Sequence, residues 1–317
     1  MGYLEHHLCI FNFSVMRSIA KIIIGGIILI CADIAGHLFL KENCEKGFGI
    51  KSYSDVLMVG HSHLNMSVDK SVLSDSIGLS VAKYYRSGVD IHARRLMANQ
   101  YLESKYADSL KTVIFCVDAS TFTAEGLSAN SYTLFYPWMD DDLYKDMVAS
   151  EASFGDYWFH KVFKLSRYNQ DLYGTAIKGL LNSEDRNNKT KGLDIEGDPD
   201  SLKGSTIKLN KSLMEELRKA VNDVADKNIK VILLQTPIAK YLINGNEQEY
   251  LKVKEFYQEL AKSSQVYYID FTDELADKYD LFFNSTHLNV RGQELYTQRL
   301  IRELKPILFD NEGNKLH

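Results

Sequence analysis

The chain has 317 residues, a formal net charge of −5 and 45% hydrophobic residues, enough for one large domain or two small ones with a proper core. Acidic and basic residues are interspersed without a Lys/Arg cluster, which argues against nucleic acid as a partner. Four cysteines (Cys9, Cys31, Cys44, Cys116) are too few and too scattered for a disulfide framework, and no CxxC spacing points to zinc.

In chain order, the first informative segment is Ile19–Leu40, IAKIIIGGIILICADIAGHLFL, about one bilayer thickness of mostly apolar helix. Arg17 and Lys21 precede its most hydrophobic part, and no comparable positive cluster follows. The positive-inside rule then makes 1–17 a short cytoplasmic leader and 18–40 a transmembrane signal anchor, with the remaining chain outside the cytoplasm, periplasmic or at the cell surface. A cleaved signal peptide is the alternative, since Ile22–Ala32 alone has the length of a signal-peptide core. No A-x-A site follows it, and Cys31 lacks the small preceding residue of a lipoprotein site, so the uncleaved anchor is preferred. Met16 could equally be the start, which would remove a featureless leader. Asp33 is costly inside a span, and His37 one turn on is its expected partner; otherwise the span ends near Ala32.

A linker is expected over 41–53, with Gly47 and Gly49, followed by one domain over 54–305 and a tail over 306–317. Strand-like runs are Val56–Val59, Leu79–Tyr84, Thr112–Val117, Lys230–Leu234 and Val266–Ile269. Helical stretches fall between them at Asp90 to about Tyr106, Lys211–Asp226, Glu247–Lys262 and Val290–Leu304. Short hydrophobic strands separated by helices predict a parallel sheet covered on both faces, an α/β fold of doubly wound, flavodoxin-like type. Two inserts interrupt the alternation, at about 119–165 and 182–205. The first holds nine aromatics in the 28 residues Tyr132–Phe159, including both tryptophans. It reads as a small subdomain core in preference to a sugar-stacking platform or lid. The second is polar and reads as a surface loop or disordered insert.

The chemistry-bearing stretch is VLMVGHSHLNMSVD, Val56–Asp69, four apolar residues running into a glycine and then His61, Ser62 and His63. GHSH resembles the last motif of metallophosphoesterases, where two histidines bind a dinuclear site, but that reading lacks support because the carboxylate and Asn/His ligand motifs it needs do not precede the stretch. In an extended chain the two histidines would also point to opposite sides. A serine after a strand-ending glycine is, by itself, more often a helix N-cap than a nucleophile. Here a partner exists: FFNSTHLNVRGQELYTQRL, starting at Phe282, carries His287 just before the last helix. Loops after the strands' carboxyl ends converge on one edge of a doubly wound sheet, which could bring Ser62 within reach of His287 as general base. The helix starting after Gly60–His63 would aim backbone N–H groups at an oxyanion.

These two stretches resemble the first and last blocks of the SGNH/GDSL hydrolase superfamily. Tyr85–Asp90, with Gly88, is similar to the second block, and Ile114–Asp118 occupies the place of the third. The likeness spans about 55–304, specific at its ends and weak in the middle. It implies Ser62 as nucleophile, His287 as base, and the Ser62 and Gly88 N–H groups as oxyanion donors. Two positions depart from the pattern. Asp118 stands near the place of the third block's asparagine and is expected to be structural. The triad aspartate three residues before the histidine is Asn284, which can orient an imidazole but cannot stabilise an imidazolium by charge; Asp280 is the alternative third member.

His61 and His63 are then expected to line the site mouth or pack beside it, and Arg86 and Arg291 to be solvated in preference to binding an anionic substrate group. The chemistry implied is ester hydrolysis or O-acyl (acetyl) transfer on an acylated, cell-envelope polysaccharide or peptidoglycan-like substrate, without metal or cofactor. A membrane partner could deliver an activated acyl donor. The competing reading is a silent SGNH-like module that binds glycans or scaffolds an envelope complex.

Overall fold

Five short apolar runs pair side by side as parallel strands: β1 (Val56–Gly60), β2 (Val81–Tyr85), β3 (Thr112–Val117), β4 (Lys230–Gln235) and β5 (Val266–Asp270). The computed structural model describes residues 2–123, 130–183, 187–195, 199, 202–204, 206–207 and 209–309, with side chains from residue 16 onward. Strand order is β2-β1-β3-β4-β5, the flavodoxin-like arrangement in which the winding direction reverses between β1 and β3. β1 and β3 are buried at every position, which is why they read as continuous hydrophobic runs and not as alternating ones.

The period of two inside the sheet separates two cores. Leu57, Val59, Val113, Phe115, Val231 and Leu233 pack with α4 (Ile91–Leu102), α8 (Lys211–Ala225) and α9 (Glu247–Leu260). Val56, Met58, Ile114, Cys116, Ile232 and Leu234 pack with α3 (Lys70–Ile77) and α11 (Val290–Leu308). Asp69, Asp90 and Asn289 cap α3, α4 and α11, each accepting a backbone N–H from the first turn. A short α2 (Ser62–Ser67) follows β1, and a two-stranded hairpin, β6 (Phe282–Asn284) with β7 (His287–Leu288), precedes α11. The four-residue α10 (Thr272–Leu275) lies after β5.

The N-terminal segment differs from expectation at its end. α1 runs without a break from Gly2 to Gly47, so residues 41–47 are helix and not linker. Met16–Gly47 of this helix is long and apolar enough to cross a membrane. Its last turns pack on α7 (Gln170–Leu181), where a Cβ at Gly179 would sit 1.9 Å from the Asn43 carbonyl and one at Gly47 2.2 Å from that of Thr175. Gly47 therefore serves close helix approach, not chain flexibility. Asp33 does not pair with His37. Its two carboxylate oxygens accept the backbone N–H groups of Lys164 and Leu165 at 2.8 and 2.9 Å, while the Tyr168 hydroxyl lies 3.0 Å from His37 Nδ1.

The aromatic insert divides in two. Phe135, Tyr136, Trp138 and Tyr144 are buried, with α5 (Lys145–Glu151) beside them, whereas Phe154, Trp158 and Phe159 of α6 (Phe154–Val162) are exposed. The buried half encloses Arg86, which is 3% exposed and not solvated as its charge suggested. Its guanidinium carbon lies 4.7, 5.2, 4.2 and 4.2 Å from the ring centroids of Phe48, Tyr84, Phe135 and Trp138. Its nitrogens donate to the Leu134 carbonyl at 2.6 Å and the Tyr84 hydroxyl at 2.5 Å. The expected tail over 306–317 starts too early, since α11 continues through Leu308; the tail beyond residue 309, and parts of the polar 182–205 insert, lie outside the described residues.

Candidate active site

Gly60 ends β1 where the backbone must turn sharply under β3. A Cβ there would lie 2.7 Å from both the Cys116 and Leu64 Cβ atoms, so only glycine fits the approach. His61 is the N-cap of α2, its Nδ1 accepting the His63 backbone N–H at 3.1 Å. The cap role that a serine often plays at such a turn is thus filled by the histidine, and the Ser62 hydroxyl is left to point elsewhere.

It points at His287, whose Nε2 lies 2.8 Å from Ser62 Oγ. The long-range ties that close this gap run through α11: the Gln293 amide donates to the Asn65 carbonyl at 2.9 Å, and the Asp69 N–H donates to Thr297 Oγ1 at 3.0 Å. Neither Gln293 nor Thr297 stood out in the sequence, since each is one polar residue in an amphipathic helix. On the other side of the ring, His287 Nδ1 lies 2.9 Å from Asn284 Oδ1. The same oxygen accepts the backbone N–H groups of Thr286 at 3.1 Å and His287 at 3.0 Å, which fixes the amide with its oxygen toward the ring. Nδ1 therefore carries the proton, Nε2 presents a lone pair, and Ser62 donates to it. Burial, then the neighbouring His61, lowers the His287 pKa below its ordinary value, with Asp118 acting in the opposite sense.

Asp280 is not part of this arrangement. Its carboxylate faces the Arg291 guanidinium at 3.3 Å, both side chains more than half exposed, and Asn284 already occupies His287 Nδ1. Arg291 is exposed, as expected of it.

Asp118, at the end of β3, is wholly buried and sits across the β1/β3 switch from Ser62. Its Oδ2 lies 2.5 Å from His61 Nε2, and its Oδ1 accepts the Ser120 N–H at 2.7 Å and the Ser120 hydroxyl at 2.6 Å. Burial alone would raise this carboxyl; His61, His63 and Arg94 outweigh it and hold the pKa well below the usual range. Because His61 Nδ1 accepts a backbone N–H, its Nε2 carries the proton, so the pair is a neutral imidazole donating to a carboxylate. Burial and Arg94 lower the His61 pKa in the same sense.

His61 and His63 do not diverge as they would in a strand. Helix α2 begins between them, and the rings meet edge-on with centroids 4.1 Å apart. His63 also stands edge-on to His287 at 4.9 Å, which makes it a packed neighbour of the imidazole. Its buried Nδ1 has no hydrogen bond and lies 3.5 Å from Asp118 Oδ2. His61, His63 and Asp118 are the residues whose donors, all within 4.8 Å of one another, could hold a metal ion among the described residues. An ion there would have to displace the His61–Asp118 hydrogen bond.

Gly88 lies in the turn between β2 and α4 with φ +72°, a left-handed conformation suited to glycine. Arg94, fully buried, bridges that turn to the end of β3 by donating to the Val89 and Cys116 carbonyls at 3.3 and 2.8 Å.

No family model matches the chain, and no curated protein matches it. Solved structures similar to it include a candidate platelet activating factor from Streptococcus pneumoniae, at 12% identity and TM-score 0.40, covering 86% of this chain and 98% of that one. A candidate acylhydrolase from Bacteroides fragilis follows at 11% identity and TM-score 0.39, covering 78% and 86%. A family two carbohydrate esterase from Clostridium thermocellum, in complex with cellohexaose, has 11% identity and TM-score 0.35, covering 80% and 64%. At these scores the likeness carries no functional argument, and the chemistry rests on the chain's own geometry. That geometry is a hydroxyl hydrogen-bonded to an imidazole of the correct tautomer, at the switch point where an α/β sheet binds ligands.

Proposed function

We propose that the chain is an SGNH-like serine ester hydrolase or O-acyl (acetyl) transferase, anchored in a membrane by α1 with its α/β domain outside the cytoplasm. The observation that carries this reading is the 2.8 Å contact from Ser62 Oγ to a His287 whose Nδ1 is held by Asn284. His287 Nε2 takes the Ser62 proton as Oγ attacks an ester carbonyl, and the oxyanion is met by the N–H groups of Ser62 and Gly88. His287 then returns the proton to the departing alkoxide, leaving an acyl-serine. Water or a sugar hydroxyl, deprotonated by the same imidazole, releases the acyl group. Hydrolysis and transfer differ only in which acceptor reaches the acyl-serine. Anchorage outside the cytoplasm favours an acylated envelope polysaccharide or peptidoglycan-like substrate, with a membrane partner as acyl donor.

The test is labelling by a fluorophosphonate probe. Strong labelling of the wild type that vanishes in Ser62→Ala supports the reading. A folded wild type that takes no label overturns it and favours a silent glycan-binding or scaffolding module, the alternative that the uncharged Asn284 keeps open.

A further inference from the structure

Two helices outside the candidate active site each leave an apolar face uncovered. On α6, Phe154, Trp158, Phe159 and Val162 are 82%, 50%, 52% and 62% exposed, and their spacing of four, five and eight residues puts them on one side. On α7, Tyr173, Ile177, Leu180 and Leu181, spaced by four, seven and eight residues, form a second exposed apolar face, while Leu172, Ala176 and Gly179 on the other side are buried where α7 packs on α1. Monomeric soluble domains seldom leave so much contiguous apolar surface to water.

What covers it follows from where α1 holds it. The turn between α6 and α7 gives its Lys164 and Leu165 N–H groups to Asp33, and Leu165 packs on Gly36. Asp33 precedes Leu40, the last residue of the apolar stretch, by a helical rise of about 10 Å. The end of α6 is thus level with lipid-facing residues of α1, not with the polar turn at Lys41 and Glu42 that follows them. Interfacial amphipathic helices bury their apolar faces to about that depth, roughly 5–10 Å, and Trp and Tyr favour that zone. Three nearby cations, Lys161, Lys164 and Arg167, share the single carboxylate of Asp140 at 2.5, 2.9 and 2.7 Å, so the cluster beside the apolar face keeps a net positive charge, the sign that suits lipid phosphates. Ile34, Leu38 and Phe39 of α1, close in sequence to the Asp33 and Gly36 contacts, are exposed as well.

We infer that α6 and the adjoining start of α7 lie in the lipid headgroup–acyl boundary, so that the domain is seated on the bilayer as well as anchored through it. This rests on the reading of α1 as a membrane span. The seat explains how Asp33 is accommodated, since its oxygens are satisfied by a re-entrant turn at the same depth.

The chain's two tryptophans make the test direct, because Trp138 is fully buried and Trp158 lies on the α6 face. Full-length wild type and Trp158→Phe are reconstituted in phosphatidylcholine vesicles, with or without bromine on shallow acyl carbons, and their emission is subtracted. The expected difference signal is quenched about twofold or more by brominated lipid and is shielded from aqueous iodide. A difference signal open to iodide and indifferent to bromine, with the protein still retained after an alkaline wash, overturns the seat and leaves the anchor standing. Release of both proteins by that wash overturns the anchor, and the seat with it.

Discussion

Asn284 Oδ1 sits 2.9 Å from His287 Nδ1, where a carboxylate would complete a charge-stabilised triad. The amide supplies orientation without charge. Asn284→Asp is expected to raise kcat/KM for a chromogenic acetyl ester by about tenfold or more, the equivalent of at least one unit of imidazole pKa. An unchanged or lower rate in a well-folded variant counts against His287 as the base.

The pH profile follows from the same ring. His287 works as a base only when neutral, and its pKa is lowered mainly by burial. Activity should therefore persist as the pH falls below the ordinary imidazole value of about 6.5, and decline only through the lowered value. In Asn284→Asp the added charge favours the imidazolium, so the acid limb of kcat/KM should move to higher pH. A wild-type limb above about 6.5 contradicts the assignment.

Asp118 is a buried anion that His61 and Ser120 satisfy. Asp118→Ala leaves those donors without their acceptor and Arg94 without a nearby countercharge, at an expected cost of about 3–5 kcal/mol in urea unfolding. The folded carboxyl is depressed, so its contribution is present above the unfolded value of about 3.9 and is lost as the pH falls toward the depressed one. A variant as stable as wild type at neutral pH shows that the anion is dispensable.

Chelation should leave fluorophosphonate labelling intact. Both ring nitrogens of His61 are already engaged, one by the His63 N–H and one by Asp118. Labelling lost on dialysis against EDTA, and restored by one divalent ion, would instead make His61, His63 and Asp118 a metal centre.

The strands were legible because burial on both faces writes them as uninterrupted apolar runs, as in Thr112–Val117, whose observed limits match the expected ones. The approach of His287 to Ser62 was legible because the flavodoxin-like order brings their loops to one edge, whereas Asn284 beside the ring was implied only by the resemblance of the last block to Asp-x-x-His. Arg86 was not: its aromatic cage comes from residues 48, 84, 135 and 138, a convergence that no local pattern records. The divergence expected of His61 and His63 failed because a helix starts between them, and a one-residue shift of a boundary reverses such an inference. Gly47 was misread since the same glycine serves a hinge or a tight helix crossing, and only the partner helix α7 distinguishes them.

Helix α1 enters the domain without slack, ending at Gly47 against α7 only nine residues before β1 begins. A hydroxyl mounted on such a mast cannot roam. In a bilayer, Ser62 would work at one fixed height and one fixed tilt. On the proposed reading of α1 and Ser62, its reach would be confined to ester groups held at that altitude.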